Sequence, residues 1–155
     1  MIQRLTAPPY PWDLLLLADP SKAQVENYLY DSDVYVLKVE EVTVGVYVLL
    51  QRDEQTIELM NIAVAEEVQH QGYGHQLLAH AMATVKAIGV KKLLVGTGNS
   101  SIEQLVFYQK HGFRMTHIIR DFFIEHYDTP IFENGIQCRD MIQLTYIFKD
   151  ENRPH

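Results

Sequence analysis

Apolar and polar positions alternate along this chain in two rhythms. Leu77, Leu78, Ala81, Met82, Val85 and Ile88 recur at helical spacing, which predicts an amphipathic helix over 72–88, closed by Gly89 as the residue past its end. Val34 to Val39 and Thr43 to Leu50 are β-branched runs joined at Glu40-Glu41, a predicted hairpin, and Gln55 to Ala65 reads as a third strand. Upstream, residues 1–11 form a proline-bearing lead-in with room for a short strand. Trp12 to Ala18 predicts a short helix stopped at Asp19-Pro20, and Ser21 caps a second helix to about Tyr30. Downstream, Leu93 to Thr97 predicts a strand that a right-handed crossover would set parallel to the one before the long helix. Ser100 and Glu103 have capping-box spacing for a helix over about 101–110, stopped by Gly112. Phe113 to about Ile124 reads as a strand, Glu125 to Cys138 as a loop, and Arg139 to Phe148 as a closing strand with clean alternation. The expected fold class is therefore α/β (α+β): one domain over 1–150, a mixed, mostly antiparallel sheet flanked by helices, and a disordered tail at 151–155.

The strand, turn and helix around Gln69-His70-Gln71-Gly72-Tyr73-Gly74 carry the first chemical signal. The opening N–H groups of a helix have no internal partner and sit at the positive end of its dipole, and glycines let a phosphate approach the backbone. Such a turn suits a diphosphate ligand, although glycine spacing alone also fits a plain turn. The Gly-x-x-x-x-Gly-Lys-Ser/Thr loop is absent, and Leu77 stands where the dinucleotide fingerprint needs its third glycine. What fits is Gln/Arg-x-x-Gly-x-Gly/Ala, carried by Gln69, Gly72 and Gly74 after the segment IELMNIAV. A second block, NSSIEQLVFYQKHGF, places Asn99 after a strand, Tyr108 on a helix and Gly112-Phe113 at its end. Together the two blocks resemble the acetyl-coenzyme A motifs of the GNAT superfamily of N-acetyltransferases, over roughly residues 57–113.

That resemblance implies acetyl-coenzyme A as cosubstrate and direct transfer of its acetyl group to an amine, most simply a small molecule. It implies cofactor contacts from Ile62, Ala63, Val64, Gln69, His70, Gln71, Gly72, Tyr73, Gly74, His75, Asn99 and Tyr108. Tyr108 matches the position of the acid that protonates the leaving thiolate; spacing alone favours a core tyrosine beside Ile102 and Leu105, and the motif match reverses that reading. Asn99 matches a residue that bonds the pantetheine arm, with a turn asparagine as the plain alternative. The backbone N–H of Ile62 or a neighbour is the expected oxyanion donor. Glu58 shares strand parity with Met60, Ile62 and Val64, so burial is expected to raise its pKa toward that of a useful base. The alternative for Glu58 is a solvent-facing glutamate, and a bulge would alter the parity. The paired helices near the N-terminus correspond to part of the acceptor wall. Tyr127, Asp128 and Glu133 are candidates for shaping the acceptor pocket, or belong to an ordinary loop or a dimer contact.

Composition trims the alternatives. The net charge of −7 and pI of about 5.4 argue against nucleic acid or an anionic membrane as main partner, and mildly favour a cationic substrate. The single Cys138 excludes an internal disulfide framework and fits a reducing compartment. No run approaches a signal-peptide core or a membrane span, so a cytoplasmic location is expected. His75 and His80 stand five apart on a helix with no cysteine or clustered carboxylate, so no metal site is expected; His70 and His75 fit the phosphate end better. Lys110 is a solvated helix-end lysine or a partner for the 3′-phosphate. Three other functions share the motifs: a non-catalytic acyl-coenzyme A sensor or partner module, a transferase using another acyl donor, and a nucleotide-binding module. A homodimer is possible.

Overall fold

A computed structural model describes residues 1–149; the tail expected at 151–155 lies outside them. The chain forms two units, Met1–Val90 and a second beginning at Lys91.

In the first unit, β1 (Ile2–Arg4), β2 (Asp33–Val39), β3 (Val42–Asp53) and β4 (Thr56–Val64) pair in that order, each antiparallel to the next. The β2–β3 turn is made by Glu40 and Glu41, both left-handed at φ 51° and 67°. One face of this sheet is covered by α1 (Trp12–Ala18) and α2 (Lys22–Leu29). Leu14, Leu15, Val25 and Leu29 from the helices meet Val34, Val36, Val46, Val48 and Ala63 from the strands. Ser21 caps α2, its side chain accepting from the Gln24 amide at 3.3 Å. The long helix α3 (Tyr73–Ile88) buries Leu77, Leu78, Ala81 and Val85 of the expected stripe; Met82 is half-buried and Ile88 is exposed beside the terminating Gly89. α3 comes so close to β3 at Gly45 that a Cβ there would lie 2.9 Å from Leu77 Cδ1.

The second unit has β9 (Met141–Ile147) at the centre of an antiparallel trio, with β5 (Lys92–Gly98) on one side and β6 (Arg114–Ile119) on the other. Helix α4 (Ile102–Lys110) follows β5. Two expectations need correction. The strand after Gly112 ends at Ile119 rather than near Ile124, because Asp121 turns left-handed at φ 58° and starts the short helix α5 (Phe122–His126). The 125–138 excursion holds a small hairpin, β7 (Phe132–Glu133) and β8 (Ile136–Gln137), around an Asn134-Gly135 turn with φ 55° and 72°. Asn-Gly between short apolar runs is a strong hairpin signal, and two-residue strands are too short for periodicity to reveal.

The capping box also fails to form. Ser101, not Ser100, is the N-cap of α4 and makes no side-chain cap bond; its hydroxyl donates to Glu133 at 3.0 Å, while Glu103 accepts from Asn134 at 3.2 Å. Both polar groups tie the hairpin to the start of α4 instead of closing the helix.

Candidate active site

The expected phosphate end is built by β4, the turn after it and α3. A 3-10 turn at Glu66–Val68 leaves β4, and the Gln69 side chain donates back to the Val64 carbonyl at 3.0 Å, closing the loop on its own strand. His70 at φ 66° and Gly72 at φ 88° then reverse the chain twice through the left-handed region. Nothing lies within 4 Å of where a Cβ on Gly72 would stand, so its conformation demands glycine while the space above it stays open. The first helical bond runs from Gln76 to the Gly72 carbonyl at 3.1 Å, which leaves the amides of Tyr73 and Gly74 ahead of it without an intrahelical partner. Sixteen residues of helix stand behind those amides, so the dipole adds its positive end to the donors. Gln71 and His75 are exposed on either side of the glycine turn, His75 on the helix's first turn.

Along β4 the side chains sort by a bulge. Val48 pairs with Asn61 but Leu49 pairs with Leu59, so Met60 is the extra residue. Ala63 therefore buries its methyl against α1 and α2, together with Asn61, and any cofactor contact from Ala63 comes from its backbone. Glu58 pairs across to Leu50, which packs against the same cluster, so the shift breaks the parity expected between Glu58 and Ile62 or Val64. Its carboxylate is not isolated either: Arg52 Nε lies 2.9 Å away, with the Glu58 side chain 15% and the arginine 45% exposed.

Asn99 and Tyr108 stand in the second unit. Asn99 Oδ1 accepts from the amides of Arg139 and Asp140 at 2.7 and 2.9 Å, and Nδ2 donates to the Gln137 carbonyl at 3.2 Å. The side chain thus clamps residues 137–140 against the end of β5, and one Nδ2 hydrogen remains for a ligand amide. Tyr108 is 3% exposed, its ring edge-on to Phe107 and Phe113 at 5.3 and 5.6 Å. Burial pushes its phenol well above the ordinary tyrosine range, so it stays protonated at any working pH. No hydrogen bond is made by its hydroxyl among the described residues.

The remaining candidates separate. Tyr127, Asp128 and Glu133 lie on the stretch between α5 and β8, and Glu133 is engaged by Ser101. Lys110 is exposed in the last turn of α4. Among the described residues no group of three His, Cys, Asp or Glu is arranged to hold a metal ion. His80 instead belongs to a half-buried polar cluster: Tyr47 Oη lies 2.6 Å from His80 Nδ1 and 3.2 Å from Thr84 Oγ1, under a stacked Tyr35 at 4.7 Å. Cys138 is buried against Gly98, its thiol pushed up by burial and so held as the neutral form. Asn61 was not among the expected site residues, yet it is buried between β4 and both N-terminal helices; its polarity inside an apolar run was the available signal.

The strand–glycine turn–helix of the first unit and the Asn99–Tyr108 segment of the second fall within, or end inside, a stretch that matches a known domain. Residues 30–115 match the Acetyltransferase (GNAT) domain. The chain belongs to the GNAT family. A relative from Bacillus subtilis (strain 168), described as the uncharacterized N-acetyltransferase YvbK, is 53% identical over 133 residues, 86% of each chain. A GNAT-family acetyltransferase from Elizabethkingia anophelis, solved with acetyl-CoA bound, is 50% identical and superposes with a TM-score of 0.93 over 96% of this chain and 97% of its own. A protein of Bacillus cereus ATCC 14579 described as an IAA acetyltransferase is also 50% identical, with a TM-score of 0.92 over 96% and 99%. The GNAT fold shared with these proteins is α+β, a mixed and mostly antiparallel sheet with helices. No helix among the described residues is long and apolar enough to cross a membrane.

Proposed function

We propose that this GNAT protein transfers the acetyl group of acetyl-coenzyme A to the primary amine of a small molecule, by direct attack within a ternary complex. The observation that carries the reading is the uncapped N-terminus of α3 behind Gly72, a donor set suited to a diphosphate. Its support from comparison is the half-identical GNAT protein that was crystallised with acetyl-CoA. In this reading the amides from Gly72 to His75 take the diphosphate, Gln69 holds the loop to β4, His70 and Gln71 line it, and the backbone of Ile62 to Val64 runs beside the thioester arm. Asn99 offers its remaining amide hydrogen to that arm.

The amine nitrogen attacks the acetyl carbon, and its new C–N bond replaces the C–S bond. A free alkyl amine has a pKa of ~10 and must shed one proton first. Glu58, already held by Arg52, is the carboxylate that takes it, directly or through water. The Ile62 N–H stabilises the tetrahedral oxyanion. Tyr108, kept protonated by burial, gives its proton to the departing thiolate, and the second proton that the attacking nitrogen loses restores the phenol. No covalent enzyme intermediate is required. A small acceptor is favoured by analogy with the half-identical protein described as an IAA acetyltransferase. Dependence on acetyl-coenzyme A and a single, free Cys138 fit work in the cytoplasm.

The test is release of free thiol from acetyl-coenzyme A over a panel of amines, polyamines, aminoglycosides, amino acids and peptides. Turnover with one class of small amine and none with peptides is expected. Silence across the panel despite calorimetric binding of coenzyme A would replace this reading with that of a non-catalytic acyl-coenzyme A sensor.

A further inference from the structure

One buried oxygen of the first unit has no partner. Asn61 is 4% exposed, and its Nδ2 donates to the Leu15 carbonyl of α1 at 3.0 Å and to the Tyr28 hydroxyl of α2 at 3.1 Å. The Leu15 carbonyl can only accept, which settles which end of the carboxamide is nitrogen. Both amide hydrogens are thus in use, while Oδ1 is closed off from solvent with no donor among the described residues. Native interiors seldom leave a carbonyl in that state, and a missing ligand or water is one of the few physical reasons for it.

The position of this oxygen narrows the choice. Asn61 lies at the bulge of β4, directly before Ile62, on the face covered by α1 and α2 and shared with Glu58. We infer that Asn61 Oδ1 accepts a hydrogen bond from the acceptor amine and so orients its lone pair; the inference rests on the acetyl-transfer reading above. A primary amine has two N–H bonds besides its lone pair. One would be held by Oδ1 while the other is lost as the amide forms, its proton restoring the Tyr108 phenol. An N-methylated amine has a single N–H and must give up one of these two functions. Asn61 is then a determinant of primary-amine specificity, and its nitrogen side, tied to Leu15 and Tyr28, keeps the oxygen pointed.

The test compares n-butylamine with N-methylbutylamine, whose short alkyl chains isolate the contact at nitrogen, by thiol release at saturating acetyl-coenzyme A. Wild type should prefer butylamine by at least tenfold in kcat/KM. Asn61→Leu should reduce that preference below threefold, whereas Tyr28→Phe, which removes a partner of Nδ2 and leaves Oδ1, should retain it. An unchanged preference in Asn61→Leu overturns the inference. The side-chain amide resonances of Asn61 in 15N-labelled wild type bound to coenzyme A supply a measurement independent of any variant's folding. They should move on adding butylamine, and resonances that stay fixed would assign the oxygen to a resident water and overturn the inference too. Failure of the transfer reading itself looks different: no thiol release with any amine, while the amide titration still decides the role of Asn61.

Discussion

Replacing Tyr108 by phenylalanine separates what the ring does from what the hydroxyl does. The ring packs edge-on to Phe107 and Phe113 at 5.3 and 5.6 Å, and phenylalanine keeps both contacts. The hydroxyl has no hydrogen-bond partner among the described residues, so nothing in the fold is lost with it. The ring is 3% exposed, but its hydroxyl is not among the sealed oxygens left without a partner, so removing it should change stability by less than about 1 kcal/mol. For a chain of this size that keeps Tm within ~2–4 °C of wild type. Catalysis should fall. A positioned general acid is worth about 10²–10⁴ in rate, or ~3–5 kcal/mol of barrier. Even the weakest case, a tenfold loss of kcat at about 1.4 kcal/mol, is easily measured by continuous thiol detection, with Cys138 buried and silent. Calorimetry with coenzyme A should show binding little altered. Unchanged turnover in the folded variant would remove the phenol from the mechanism. A Tm lower by several degrees would show that the hydroxyl serves the fold.

Other expectations test the framework around the site. Glu40 and Glu41 both adopt left-handed φ in a two-residue turn, at a cost of ~1–2 kcal/mol per residue, so Asn-Gly in their place should raise stability by about 1–2 kcal/mol; an unmoved urea midpoint would show the turn to be unstrained. Gly98→Ala drives a methyl into Cys138 Sγ and should destabilise by about 1–3 kcal/mol, with recovery in Gly98→Ala/Cys138→Ala; additive effects in the double variant would deny the clash. Burial raises Tyr28 to about 12 and pushes up Tyr47 and Tyr108 as well. An unfolded tyrosine ionises near ~10, so above that pH the unfolded chain releases protons that the native state retains. Stability from these tyrosines is therefore whole below pH ~10 and falls above it by about 1.4 kcal/mol per pH unit for each group still protonated. Three of the nine tyrosines should ionise late in absorbance at alkaline pH, in step with unfolding; nine alike would refute the burial argument.

Sequence by itself determined what is local or repeats at fixed spacing. The α3 stripe from Leu77 to Val85, the Ser21 cap, the Glu40-Glu41 turn and the glycine turn at Gly72 each depend on neighbours within a few residues, and each stands where its pattern puts it. The GNAT motifs were legible for the same reason, since a diphosphate grip is built from consecutive amides. Tertiary structure decided wherever a polar side chain had a choice of partners. Ser100 and Glu103 had the spacing to cap their helix, yet the N-cap falls on Ser101, whose hydroxyl bonds Glu133, and Glu103 accepts from Asn134 of the same distant hairpin. Asn99 is occupied by the backbone of residues 137–140. Glu58 lost its expected parity to a single extra residue at Met60 and gained Arg52. Asn61 became conspicuous only once α1 and α2 had closed over it and left one oxygen unpaired. A backbone period is set by the chain's own geometry, whereas a hydrogen bond between residues 30 or 40 apart exists only after the chain has packed.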